Sequence, residues 1–115
     1  MRGEIADKER LGHIIDCIQE ILNATKGISK EEFLTNHVLR IAVVKWLEII
    51  GEAANNITES TKGKSSNLPW KKIVRFRHFV VHEYFEIDFM FVWNLLSQDL
   101  LFLEQEIGKL LKEYE

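Results

Sequence analysis

Leu11, Ile14, Ile15, Ile18, Ile21 and Leu22 recur at intervals of three and four, which puts them on one face of an amphipathic helix over residues 7–25. Gly27 ends that helix. Ser29-Lys30-Glu31-Glu32 then reads as a capping box, in which Ser29 and Glu32 satisfy each other's free backbone donors. Beyond it, Phe33, Leu34, Val38, Ile41, Val44, Leu47, Ile50, Ala54 and Ile57 keep a helical period and predict a long second helix, with a bend near Asn36-His37. Residues 58–67 hold Ser, Thr, Lys and Gly but no apolar side chain, and are expected to form a loop. Pro69 suits the first position of a third helix, which would carry Trp70, Ile73, Val74 and Phe76. Asp88 would cap a fourth, with Phe89, Val92, Leu96, Leu100, Leu103, Ile107 and Leu110 as its apolar stripe. Nothing alternates with the period of a strand, and no repeat or low-complexity tract interrupts the pattern. An all-α antiparallel bundle of four to five helices, forming a single domain over residues 1–115, is the expected architecture.

Composition is consistent with a globular helical chain. Of 115 residues, 46% are hydrophobic and 29% charged, with one proline and six glycines. One cysteine, Cys17, excludes an internal disulfide and reads as a core residue on the first helix. The opening Met1-Arg2-Gly3-Glu4 lacks the apolar stretch of a signal peptide, which leads us to expect a reducing cytoplasm. Charged residues such as Lys45, Glu48, His82 and Glu86 break the apolar runs around residues 41–50 and 80–90, so no membrane span is expected.

The net charge of −3 argues at first against a nucleic-acid partner. Its distribution reverses the inference. Residues 60–82 contain no acid but hold Lys62, Lys64, Lys71, Lys72, Arg75 and Arg77, a local +6 that leaves −9 on the rest of the chain. Lys71, Lys72 and Arg75 are therefore candidate RNA contacts, the alternative being a solvated helix face.

That basic stretch ends on Arg77-His78-Phe79-Val80-Val81-His82-Glu83-Tyr84, which brings a permanent cation, two imidazoles and a phenol within eight residues. Arginine forks onto phosphate oxygens, and histidine exchanges protons near neutrality. On an ideal helix Arg77 and Tyr84 share a face, whereas His82 lies about 140° from Arg77. Either the helix unwinds near His82, or a twofold axis brings the segments of two copies to one cleft. Such a cleft suits metal-independent RNA cleavage, in which the ribose 2′-OH attacks the adjacent phosphorus. His82 would transfer protons, Arg77 would hold the phosphate, and Tyr84 would position it.

Plainer readings accompany each residue. Arg77 can pair with Glu83, Glu86 or another surface acid, His82 can be hydrogen-bonded at a packed interface, and Tyr84 can be a boundary residue. His78 and His82 have the four-residue spacing of paired zinc ligands, but no third ligand follows at a characteristic distance, and no metal or other cofactor is expected. Gly51 is best explained by close helix packing, and Glu52 by a bond to a neighbouring helix or a facing subunit. Trp46, Trp70 and Trp93 read as core or interface anchors.

The spacing Arg-x-x-x-x-His-x-Tyr resembles the signature of the HEPN superfamily, specifically its HepT-type toxins. Three ordered blocks extend the resemblance over nearly the whole chain: Ile49-Ile50-Gly51-Glu52-Ala53-Ala54, Leu68-Pro69-Trp70-Lys71-Lys72-Ile73, and Tyr84-Phe85-Glu86-Ile87-Asp88 followed by Val92-Trp93. His78 departs from it, since an asparagine is usual after the arginine, which leaves its supporting role in doubt. The resemblance implies a homodimer joined through the motif helices, endoribonuclease activity on tRNA or mRNA, and neutralisation by an MntA-type nucleotidyltransferase antitoxin. That antitoxin would use ATP to place AMP on Tyr84, beside Arg77 and His82. No DNA or membrane partner is implied. HEPN domains also serve as non-catalytic modules that bind nucleotides or partner proteins, and the intact Arg77 and His82 favour the enzyme.

Overall fold

A computed structural model describes residues 2–114 and is helical throughout, with no strand among the described residues. Its elements are α1 (Arg2–Thr25), α2 (Lys30–Thr35), α3 (His37–Asn55), α4 (Glu59–Gly63), α5 (Trp70–Val74), two 3-10 turns (Arg75–His78 and Val81–Glu86), α6 (Phe89–Gln98) and α7 (Leu100–Lys112). The all-α bundle expected from the sequence is present. Leu11, Ile14, Ile18 and Ile21 of α1 meet Val43, Leu47, Ile50 and Ala54 of α3 and the stripe Leu100, Leu103, Ile107 and Leu110 of α7 in one apolar cluster. Ile73 and Phe76 join that cluster, tying the motif region to the core.

Local chemistry sets the boundaries. Ser29 and Glu32 form the expected capping box at the start of α2. Asn36 turns the anticipated bend into a complete break, because its backbone leaves the helical region and its side chain accepts from Leu39 N at 3.0 Å, capping α3. Other boundaries also differ from expectation, among them the start of α1 at Arg2 and the end of α3 at Asn55. The stretch predicted as loop contains α4, whose Thr58 cap is itself anchored: buried Asp7 of α1 accepts from Thr58 N at 3.1 Å and from the Thr58 and Thr61 hydroxyls at 2.6 Å each. The last helix divides at Asp99, which takes the C-cap of α6 while its carboxylate accepts from Lys72 Nζ at 3.0 Å. Pro69 lies one residue before α5 and not at its first position.

Cys17 is half-buried against the core. Burial, followed by the nearby Asp16 and Glu20 carboxylates, pushes its thiol pKa up, so it behaves as an apolar filler. No helix among the described residues is long and apolar enough to cross a membrane.

Candidate active site

The motif does not ride on a third α-helix. After the five residues of α5 the backbone tightens into the first 3-10 turn, becomes extended at Phe79 (φ −80°, ψ 93°) and Val80 (φ −116°, ψ 142°), and then re-enters a 3-10 turn that holds His82 and Tyr84. Aromatic and β-branched residues crowd this stretch, and they lose side-chain freedom in a regular helix. Arg77 and His82 therefore sit on either side of a break. The ideal-helix angle between them does not apply.

Arg77 is fixed from below by α3. A Cβ built on Gly51 would lie 2.7 Å from Phe76 C, 2.9 Å from Arg77 Cα, and closer still to Arg77 N. Only glycine leaves room for the first 3-10 turn to seat there. One residue on, Glu52 reaches the same arginine, with its carboxylate 3.5 Å from Arg77 Nε. The Gly-Glu pair of the sequence is thus a seat for the motif arginine: the glycine admits its backbone and the glutamate steadies its side chain. A part-exposed ion pair of this kind contributes only about 0–1 kcal/mol, so it can yield the guanidinium to a phosphate.

His82 stands in contrast. Its side chain is 82% exposed, with the Glu83 carboxylate at 3.8 Å. Phe85, three residues on, is 95% exposed. Tyr84 turns the other way. It is 8% exposed, and its hydroxyl lies 3.0 Å from His37 Nδ1 while Phe85 and Phe89 pack edge-on or tilted against its ring. The Arg40 guanidinium stacks over both Tyr84 and Phe89. His37 and Arg40 escaped the sequence reading because their link to the motif spans more than forty residues and no local periodicity marks it.

The basic residues flank two cavities. One, of about 630 Å³, opens between the first 3-10 turn and α6 and is lined by Lys72, Arg75, His78, Phe79 and Phe91, together with Glu83 and Glu86. A second, of about 640 Å³, lies across α5 and takes Lys62, Lys71 and again Arg75. Neither Arg77 nor His82 lines either cavity. Lys72 is committed to Asp99, and Lys62 lies over the Trp70 ring. Among the described residues, no group of three His, Cys, Asp or Glu side chains is arranged to hold a metal ion.

An all-α bundle that presents an arginine and a histidine on either side of a helix break has the form of a HEPN domain. The chain belongs to the ribonuclease HepT-like family, whose profile matches residues 14–110. Among its relatives is the "Probable ribonuclease HepT" of Thermococcus cleftensis, 34% identical over 105 residues that cover 91% of this chain and 96% of that protein. A Methanocaldococcus jannaschii protein named "Putative RNase" is 35% identical over 100 residues, covering 87% of this chain and 92% of the relative. One of the same description from Caldanaerobacter subterraneus is 35% identical over 103 residues, covering 90% and 92%. No solved structure gives a significant match.

Proposed function

We propose that this protein is a metal-independent endoribonuclease whose working cleft forms where two copies bring their motif segments together. The observation that carries this reading is the seating of Arg77 on Gly51 and Glu52, with His82 exposed just beyond the helix break. A seated cation and a solvent-facing imidazole make up half of a phosphoryl-transfer site; a second copy supplies the opposing wall and excludes water.

In that cleft Arg77 leaves Glu52 and forks onto the non-bridging phosphate oxygens, holding the charge that builds on pentacoordinate phosphorus. The ribose 2′-oxygen bonds to phosphorus as its proton passes to a general base, and the bond to the 5′-oxygen breaks as that oxygen receives a proton. His82 serves in this proton transfer. The products are a 2′,3′-cyclic phosphate and a free 5′-hydroxyl. Arg75 and Lys71, with Lys72 when released from Asp99, guide the RNA backbone towards the cleft.

Membership of the HepT-like family supports a toxin held in check in the cytoplasm by a nucleotidyltransferase antitoxin. AMP carried to Tyr84 would place a bulky anion beside the motif cations. The phenol must first release His37 and swing outward, so an antitoxin that modifies Tyr84 has to open this corner of the fold.

The test is cleavage of total RNA and tRNA in EDTA by wild type, Arg77→Ala and His82→Ala, with folding checked by circular dichroism. Cyclic-phosphate ends that vanish in both variants are the expected result; equal cleavage by all three would overturn the assignment. Transfer onto Tyr84 is checked by the intact mass after incubation with antitoxin and ATP, where an AMP-sized increase absent from Tyr84→Phe is expected.

A further inference from the structure

We propose that the cavity between the first 3-10 turn and α6 is a nucleobase subsite, which takes one unpaired base of the RNA and prefers bases bearing an exocyclic amino group over uracil. It deepens the ribonuclease reading above, and rests on it for the identity of the ligand. Its volume of about 630 Å³ is within the range of small-ligand sites.

Its wall is aromatic. Phe76, Phe79 and Phe91 form a chain of rings, each pair 6.2 Å apart between centroids and tilted by 36°. Phe76 is buried and fixes the row, while Phe91, at the end of it, is 46% exposed and offers a face to stack on. A half-exposed aromatic that lines a cavity is a platform for a flat ring.

The polar groups around that platform divide into engaged and free. Lys72 is held by Asp99, Asp88 caps α6, and Glu83 faces His82. The side chains of Arg75, His78 and Glu86 line the cavity and make no hydrogen bond or ion pair among the described residues. A cation and an imidazole in the lining suit the phosphate and ribose of a nucleotide. A carboxylate only accepts hydrogen bonds, so Glu86 matches the exocyclic amino groups of adenine, cytosine and guanine, whereas the one donor on the pairing edge of uracil, N3–H, lies between two carbonyl oxygens that repel a carboxylate. The His78 that departs from the family pattern would thus serve recognition and not bond rearrangement.

The experiment is titration of the full chain with AMP, CMP, GMP and UMP, followed by calorimetry or amide chemical shifts, so that no cleavage is needed. Uridine monophosphate should bind on the order of tenfold more weakly than the other three. Phe91→Ala should weaken all of them by on the order of tenfold, and Phe91→Trp should restore binding. Glu86→Gln, which adds a donor, should raise UMP towards the rest. Equal affinity for all four nucleotides, or unchanged binding in Phe91→Ala, would overturn the subsite. Nucleotide binding without RNA cleavage would remove the ribonuclease reading and leave the subsite standing; cleavage with unselective binding would do the reverse.

Discussion

Two halves of one motif are built on opposite terms. Arg77 sits over α3, where Gly51 admits its backbone and Glu52 meets its guanidinium, and its neighbour Phe76 is buried in the core. His82 lies beyond the break at Phe79 and Val80, on a 3-10 turn whose outer side chains, Val81, His82 and Phe85, face solvent. The difference separates what the fold of one chain supplies from what it leaves to a second surface. Phosphate binding needs a cation at a fixed position, and the bundle provides one. Proton transfer needs a histidine held against the substrate, and a single chain leaves that histidine open.

Substitutions should split along the same line. His82→Ala should lower the cleavage rate by about 10²–10⁴-fold, the usual contribution of general acid–base catalysis, with no change in thermal midpoint because the side chain is exposed. A melting temperature that fell with activity would place His82 in the scaffold. Gly51→Ala should lower both: the new methyl meets backbone and not a flexible side chain, so a loss of about 1–3 kcal/mol is expected in denaturant titration, with activity falling as Arg77 is displaced. Wild-type stability in that variant would mean that the first 3-10 turn is not seated on α3.

Asp7 tests the scaffold from its other end. Burial alone would raise its pKa, but hydrogen bonds from the Thr58 and Thr61 hydroxyls and from Thr58 N, with Arg10 nearby, outweigh that and hold it below the usual aspartate value. A depressed folded-state pKa contributes stability that is present above the unfolded value of about 4 and lost as pH falls through the folded one. Unfolding free energy should therefore drop further in wild type than in Asp7→Asn between pH 6 and pH 2. Parallel curves would show that the carboxylate network does not anchor α4. The smallest effect belongs to Glu52→Gln, expected to cost less than about 1 kcal/mol of stability and to leave RNA binding equal or tighter, since it frees Arg77. A loss of cleavage as deep as that of Arg77→Ala would give Glu52 a direct part in the chemistry.

The long helices were legible because their apolar positions keep a helical period, and the caps at Ser29 and Asp88 because their partners are local. The break at Asn36 was legible only as a bend, although its cap on Leu39 is local; the division at Asp99 and the small helix α4 were not legible, because each involves a carboxylate whose partner only tertiary structure reveals. For α4 the deciding partner, Asp7, lies 51 residues before Thr58. At the site, residue types and spacing pointed to Arg77 and His82, and Gly51 was read as a close-packing glycine. What it packs against, the backbone of Phe76 and Arg77, was not readable, nor was the inward turn of Tyr84 onto His37.

The most direct test of a cleft shared between copies is complementation. Arg77→Ala and His82→Ala chains carrying different tags would be co-expressed, the mixed species purified through both tags, and its cleavage of RNA in EDTA compared with each parent. A shared cleft lets the arginine of one chain work with the histidine of the other, so activity should return in about half of the sites of the mixed species while both parents stay inactive. A mixed species as inactive as its parents, or no mixed species at all, would contradict the account.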